Sequence, residues 1–111
     1  MAKVEIDLEN MKTTNLRVIA AVAGGGAPGA ESSMLKIRGT EIRQEILSLT
    51  RRAMGSYAAP YLQDMSDAEP PLGDEAAAKA ASSYFNNRKL SIFGGSNEIQ
   101  KNIISKMILG L

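Results

Sequence analysis

The apolar residues between positions 30 and 54 repeat at intervals of three, four or seven. A side chain returns to the same face of an α-helix at these intervals, whereas a strand alternates its faces at every second residue. Arg51 and Arg52 would lie in the last turn, where cations stabilise the helix dipole, and Gly55 is predicted to be a left-handed cap. The repeating positions are Leu35, Ile42, Ile46, Leu49 and Ala53.

Three further segments of the chain show helical spacing, and no alternating strand pattern follows anywhere. Residues 18–23 are continuously apolar, so we expect burial inside a bundle or at a subunit contact. Four helices joined by mostly short connections predict an all-α fold, an antiparallel four-helix bundle, as a single domain over residues 1–111. The predicted helices are 3–23, 30–54, 75–93 and 97–109.

The third helix is predicted to begin at an Asp74 cap and to change in character along its length. Small alanines at 76–81 permit close helix approach, and we expect the bulky residues nearer 93 to fill the core. Arg88 and Lys89 lie within that bulky end, so we expect at least one of them to reach out of it towards a carboxylate or a phosphate. The preceding connection, 56–73, contains Tyr57 and Tyr61, whose rings we expect to be buried.

Composition excludes several classes of function. The chain has no cysteine and no histidine, which removes disulfides, thiolate chemistry, the Ser-His triad and the usual metal ligands, so we predict no metal site. The net charge is +1 with the cations spread along the chain, so no nucleic-acid partner is expected. No apolar run is long enough for a membrane span and no signal peptide is apparent, so we expect a cytoplasmic protein.

Two glycine-containing connections carry candidate sites. Gly24, Gly26 and Gly29 satisfy a G-x-G-x-x-G pattern, but no second strand follows, which favours an interhelical loop over a dinucleotide site. The pair 94–95 comes directly before the last predicted helix. Ser96 can cap that helix, or the unpaired N–H groups of its first turn can hold an anion or an acceptor-rich ligand.

The segment 92–101, Ile-Phe-Gly-Gly-Ser-Asn-Glu-Ile-Gln-Lys, resembles the C-terminal signature of the acyl-CoA dehydrogenases, which typically reads Ile-Tyr-Glu-Gly-Thr-Asn-Glu-Ile-Gln-Arg. Residues 30–42 and the end of the same helix at 52–55 are similar to a helix of that family. The resemblance extends over about residues 14–111. It implies a helical C-terminal domain of an FAD-dependent enzyme that oxidises acyl-CoA thioesters.

The resemblance also assigns roles to residues of the signature. Gly95, Ser96 and Glu98 match positions that contact FAD, and Phe93 matches the aromatic residue beside the acyl pocket. Gly94 occupies the position of the usual catalytic base, and a glycine cannot act as one. Other branches of the family use a glutamate on a helix that we expect to precede Met1, so no catalytic residue is predicted here.

Further features of the family have no counterpart in the sequence. The Gln-x-x-Gly-Gly segment is replaced by the alanines at 76–81, and the two other domains are missing. We therefore expect a C-terminal domain or one subunit of a split enzyme, inactive alone, as a homo-oligomer (dimer or tetramer) or with a separate chain that carries the other domains. Acyl-CoA would bind after assembly. The alternative is a catalytically inert module for oligomerisation, which the apolar stripes at 18–23 and 99–111 also fit.

Overall fold

The computed structural model describes residues 1–60 and 73–111, and all regular structure in these ranges is helical. The predicted all-α fold class is confirmed. Two short 3₁₀ segments, Gly55–Ala58 and Asn87–Ser91, accompany the longer helices. The α-helices are α1 (Ala2–Ala23), α2 (Glu31–Ala53), α3 (Glu75–Asn86) and α4 (Asn97–Leu109).

The chain divides into two compact units. The first consists of Met1–Ile42 and Leu90–Leu111, and contains α1, the first half of α2, and α4. The second is Arg43–Lys89, and contains the rest of α2, the segment Gly55–Ala58, and α3. That residues 1–111 act as one domain stays a prediction.

In the first unit, α1 contacts α2 through polar and apolar side chains. Arg38 Nη2 lies 3.0 Å from Asp7 Oδ1, and the sulfur of Met11 lies close to Gly39. These contacts leave much of α1 exposed, since no residue of this helix is buried. Residues 18–23 are therefore not buried inside a bundle of the single chain, where Ile19 is 54% exposed, and their burial at a subunit contact stays a prediction.

In the second unit, alanines form the core. Ala58 is fully buried, and the face of α3 that lies against Gly55–Ala58 buries four more alanines. Small side chains allow these two elements to approach closely. The expectation that the bulky end of the third helix fills the core is wrong, because Phe85 is 54% exposed. The buried alanines of α3 are Ala77, Ala78, Ala80 and Ala81.

Aromatic and cationic side chains lie together at the carboxyl end of α3. The Arg51 guanidinium carbon lies 4.7 Å from the centroid of the Tyr84 ring, and that of Arg88 lies 5.8 Å away. Phe85 meets the same ring edge-on, with the centroids 5.3 Å apart. The structure thus places the Arg88 guanidinium near an aromatic face, and an anion partner for Arg88 or Lys89 stays a prediction.

α3 ends at Asn86, earlier than the predicted end at residue 93. The Asn87 side chain donates to the Ser83 carbonyl oxygen at 2.8 Å, and the Asn87 backbone N–H donates to the same oxygen. Gln44 Nε2 contacts the carbonyl oxygens of Asn87 and Arg88 at 3.4 and 3.3 Å. Side-chain partners for these backbone groups favour the tighter 3₁₀ turn over a continued α-helix.

The predicted helix ends are otherwise confirmed. The Asp74 carboxylate accepts from the Ala76 N–H at 2.9 Å, and Gly55 follows α2 with a φ of +60°.

Tyr57, in contrast to the prediction, is 59% exposed, although its ring lies beside Gly73. Tyr61 and most of the predicted connection at 56–73 lie outside the described residues.

The loop after α1 has the geometry of a connection between helices. The N–H of Gly24 donates to Ala20 O at 3.0 Å, and Gly25 has a φ of +89°. No strand occurs in residues 1–60 and 73–111, so the second strand that a dinucleotide fingerprint needs is absent there. No helix among the described residues is long and apolar enough to cross a membrane.

Candidate functional site

The segment that leads into α4 is attached to α2 at both of its ends. The Thr40 hydroxyl donates to Lys36 O at 2.9 Å and lies 3.4 Å from Leu90 O. One helical turn away, Lys36 Nζ donates to Asn97 Oδ1 at 2.9 Å. All of these residues belong to the first unit. α2 therefore fixes the entrance and the exit of the segment that contains the glycine pair.

Both glycines of the pair have backbone conformations that other residues rarely adopt. The φ angles are +71° at Gly94 and +82° at Gly95, and no other type of residue in the described part of the chain has a positive φ. A Cβ at Gly95 would lie 2.6 Å from Gln100 Nε2. A Cβ at Gly94 would meet no atom within 4 Å, so this backbone faces open space.

Ser96 is the N-cap of α4, as predicted. Its backbone is extended, with φ −61° and ψ 158°, and its hydroxyl oxygen accepts from the Ile99 N–H at 3.4 Å. The Ser96 carbonyl oxygen accepts from the Gln100 N–H at 2.9 Å, which closes the first helical turn. The distance of 3.4 Å marks a weak cap, and the hydroxyl keeps a proton to donate.

Glu98 places a carboxylate at the positive end of α4. Hydrogen bonds from its own backbone N–H, and then from the Ser96 hydroxyl, lower the pKa of Glu98 from its ordinary value of 4.5. The positive charges of Lys101 and Lys36 lower the same pKa further, while desolvation opposes these effects. The negative charge of Glu98 at this helix start therefore disfavours the binding of an external anion there.

The apolar residues before the glycine pair lie on the surface. Phe93 is 51% exposed and Ile92 is 70% exposed. The structure therefore brings an uncovered aromatic ring, an open glycine backbone and an ionised carboxylate into one short segment. Among the described residues, no group of acidic side chains, cysteines or histidines could hold a metal ion.

Sequence reasoning missed two residues of this site. Gln100 Nε2 donates to the Gly94 carbonyl oxygen at 3.2 Å, and its place in the signature, four residues after the cap, could have pointed to that role. Lys36 has no such signal, because 61 positions separate it from Asn97.

Comparison with known proteins gives the family. The family model for the acyl-CoA dehydrogenase C-terminal domain matches residues 1–109. The resemblance seen in the sequence began at about residue 14, so the match extends it over the first half of α1. The acyl-CoA dehydrogenase FadE34 of Mycobacterium tuberculosis is 30% identical over 95 residues, which are 86% of this chain and 11% of the relative. No solved structure matches the chain significantly. The chain belongs to the acyl-CoA dehydrogenase family and corresponds to its C-terminal domain.

Proposed function

We propose that the chain is the C-terminal domain or subunit of an FAD-dependent acyl-CoA dehydrogenase, and that it contributes to the flavin site without supplying the catalytic base. The observation that carries the proposal is the helix start at Gly94–Glu98, which is exposed at both of these residues and is held by α2 through Lys36. Its substrate would be an acyl-CoA thioester, oxidised between the α and β carbons. Bound FAD would accept the hydride.

The residues at this helix start suit particular parts of FAD. The backbone at Gly94 is open and that at Gly95 carries no side chain, so a flat ring or a ribityl chain can come close. The ionised Glu98 can accept hydrogen bonds from flavin N–H or sugar hydroxyl groups. The same carboxylate repels phosphate. The site therefore favours the N–H and hydroxyl groups of FAD over its pyrophosphate.

The base that removes the α proton must come from outside the signature. Gly94 has no side chain, and Glu98 is the segment's only carboxylate. The hydrogen bonds and charges that lower the pKa of Glu98 also make it a weaker base. Phe93, half exposed beside the glycines, would then line the acyl group without taking part in proton transfer.

Visible absorbance tests the proposal. The chain is purified alone, and also from its native cells with any polypeptides that accompany it, and each sample is incubated with FAD and separated by gel filtration. We expect flavin to co-elute with the native assembly, and an acyl-CoA to bleach the flavin only in that assembly. A colourless assembly that still contains the other acyl-CoA dehydrogenase domains would contradict the flavin site. Bleaching by the 111-residue chain and FAD alone would contradict the missing base.

The exposed face of α4 favours a second candidate function, a module for self-association without chemistry of its own. α4 buries no residue, and Ile99, Ile103 and Met107 follow one stripe on its exposed surface. Apolar stripes of this kind are commonly covered by another chain. An oligomer that forms without binding flavin would favour this function over the first.

A further inference from the structure

Lys36 links α2 to the first residue of α4, next to the candidate site. It lies in α2, is partly buried, and is surrounded by the buried residues Ser33, Ile37 and Thr40 along the helix. A lysine that leaves water loses hydration and side-chain freedom, which a defined partner must offset. That partner is Asn97, whose Oδ1 accepts from Lys36 Nζ at 2.9 Å.

The Asn97 side chain has no capping task at its own helix end. Ser96 supplies the cap, so the amide of the first α4 residue is left to bind Lys36. Because the donor is charged and the contact is partly buried, this hydrogen bond is stronger than one between neutral groups. It joins the first turn of α4 directly to α2.

The neighbouring attachment is weaker and lies farther from the site. The Thr40 hydroxyl is 3.4 Å from Leu90 O, at the opposite end of the segment, and donates to Lys36 O at the shorter distance of 2.9 Å. The residues between these two contacts include the exposed Gly94 and the partly exposed Gly95. Of these two contacts, the one from Lys36 lies at the start of α4 itself.

We propose that Lys36 is a positioning residue for the candidate cofactor site, and that it holds the first turn of α4 so that Gly95, Ser96 and Glu98 can meet the flavin together. This inference rests on the proposed function of that site. Lys36 acts through Asn97 and does not itself have to touch the cofactor. Its charge also favours the ionised form of Glu98, a second effect that can be separated by mutation.

Three variants separate the hydrogen bond from the charge. Lys36→Met removes both and keeps an unbranched apolar side chain, whereas Lys36→Arg keeps the charge and donor groups. Lys101→Met is the matched control, because exposed Lys101 also lowers the pKa of Glu98 but lies on α4 itself. We expect Lys36→Met and Lys101→Met both to raise the pKa of Glu98 in an NMR titration. Only Lys36→Met should accelerate amide hydrogen exchange at Ile99 and Gln100.

Flavin binding gives the functional readout. In the native assembly, loss of one charge-assisted hydrogen bond corresponds to about a tenfold weaker affinity for FAD in Lys36→Met. Lys36→Arg should recover most of that loss, and Lys101→Met should stay close to the wild type. Asn97→Ala should weaken FAD binding as Lys36→Met does, and the double variant should be no weaker than either single one.

The two proposals can fail separately. Unchanged hydrogen exchange and unchanged FAD affinity in Lys36→Met would overturn the role of Lys36 while the flavin site stands. Equal losses in Lys36→Met and Lys101→Met would also overturn it, since charge alone would then explain the effect. If the wild-type assembly binds no FAD, the proposed function fails. Faster amide hydrogen exchange in Lys36→Met would then still show that Lys36 stabilises the first turn of α4.

Discussion

Gln100 Nε2 donates to the carbonyl oxygen of Gly94 at 3.2 Å, and the same nitrogen occupies the space beside Gly95 in which a Cβ would stand. One side chain of α4 thus closes the turn that precedes its own helix. The arrangement requires two glycines for different reasons. At Gly94 only the positive φ excludes other residues, whereas at Gly95 the positive φ is combined with a steric conflict.

Alanine at each glycine should therefore have a different effect on stability. We expect Gly94→Ala to lower the free energy of unfolding by about 1–2 kcal/mol, the cost of a left-handed backbone for a residue with a Cβ. Gly95→Ala should lower it by about 1 kcal/mol more, because Gln100 must move and lose its hydrogen bond. Urea unfolding followed by circular dichroism measures both.

A Gln100→Ala background is the control for this pair. With the glutamine side chain removed, the conflict at residue 95 disappears, and the two glycine substitutions should become similar in cost. A difference between them that persists in the Gln100→Ala background would show that Gln100 is not its cause.

The lowered pKa of Glu98 predicts a dependence on acid. The folded pKa lies below the ordinary value of 4.5, so this carboxylate stabilises the folded chain above that pH, and the contribution is lost as the pH falls through the folded pKa. Glu98→Gln should therefore show a smaller loss of stability in this acidic range than the wild type. Because the group is exposed, the difference should be small and should shrink in salt.

An NMR titration of the Glu98 carboxyl tests the cause directly. Ser96→Ala removes the second of the two hydrogen bonds that lower the pKa and should raise it towards 4.5. Thr13→Ala, on the exposed part of α1, is a control in which the Glu98 pKa should not change. A wild-type pKa at or above 4.5 would contradict the described helix start.

The two helix caps that the sequence predicted should differ in strength. Asp74 accepts from Ala76 N at 2.9 Å, whereas Ser96 accepts from Ile99 N at 3.4 Å. Asp74→Ala should therefore cost about 1 kcal/mol of stability, the usual value of a side-chain cap. Asp74→Asn keeps an acceptor oxygen and should recover most of the loss. A greater loss of stability in Ser96→Ala than in Asp74→Ala would contradict this order.

Local chemistry explains why the helix starts could be predicted from sequence. Asp74, Ser96 and Gly55 each act within a few residues of their own position, so residue type and spacing were sufficient. The same holds for the signature at 92–101, because the order of its residues indicated the acyl-CoA dehydrogenase family. The match to the family model confirmed this assignment.

Features that depend on distant residues could not be predicted in this way. Nothing near Asn86 in the sequence shows that Gln44 contacts the carbonyl oxygens beyond it and that the helix ends there. Side-chain size suggested that the large residues near Phe85 fill the core, but alanines of α3 are buried where this helix lies close to Gly55–Ala58. Hydrophobic size predicts burial only where the neighbouring element leaves room.

The alanine core predicts a sharp difference between two positions of α3. Ala81 is 1% exposed, whereas Ala76 lies in the same helix and is exposed. Ala81→Leu should cost about 1–3 kcal/mol, because the larger side chain forces α3 away from its neighbour. Ala76→Leu should change stability by about 0.5 kcal/mol or less, as expected of a surface site. Equal midpoints of thermal unfolding for the two variants would show that the alanines are not tightly packed.

The exposed face of α4 predicts how self-association would respond to charge. Ile103 lies at the centre of the apolar stripe and is 37% exposed in the single chain, so part of its side chain is available to a second copy. If copies of the chain meet through this face, Ile103→Glu should raise the dissociation constant of the oligomer about tenfold or more, the equivalent of 1.4 kcal/mol. Asn102→Glu adds the same charge at the adjacent exposed position and should have little effect. Analytical ultracentrifugation measures both variants, and circular dichroism checks that α4 stays helical. Equal weakening in the two variants would indicate general charge repulsion, and a monomeric wild type would exclude this face as a contact between copies of the chain.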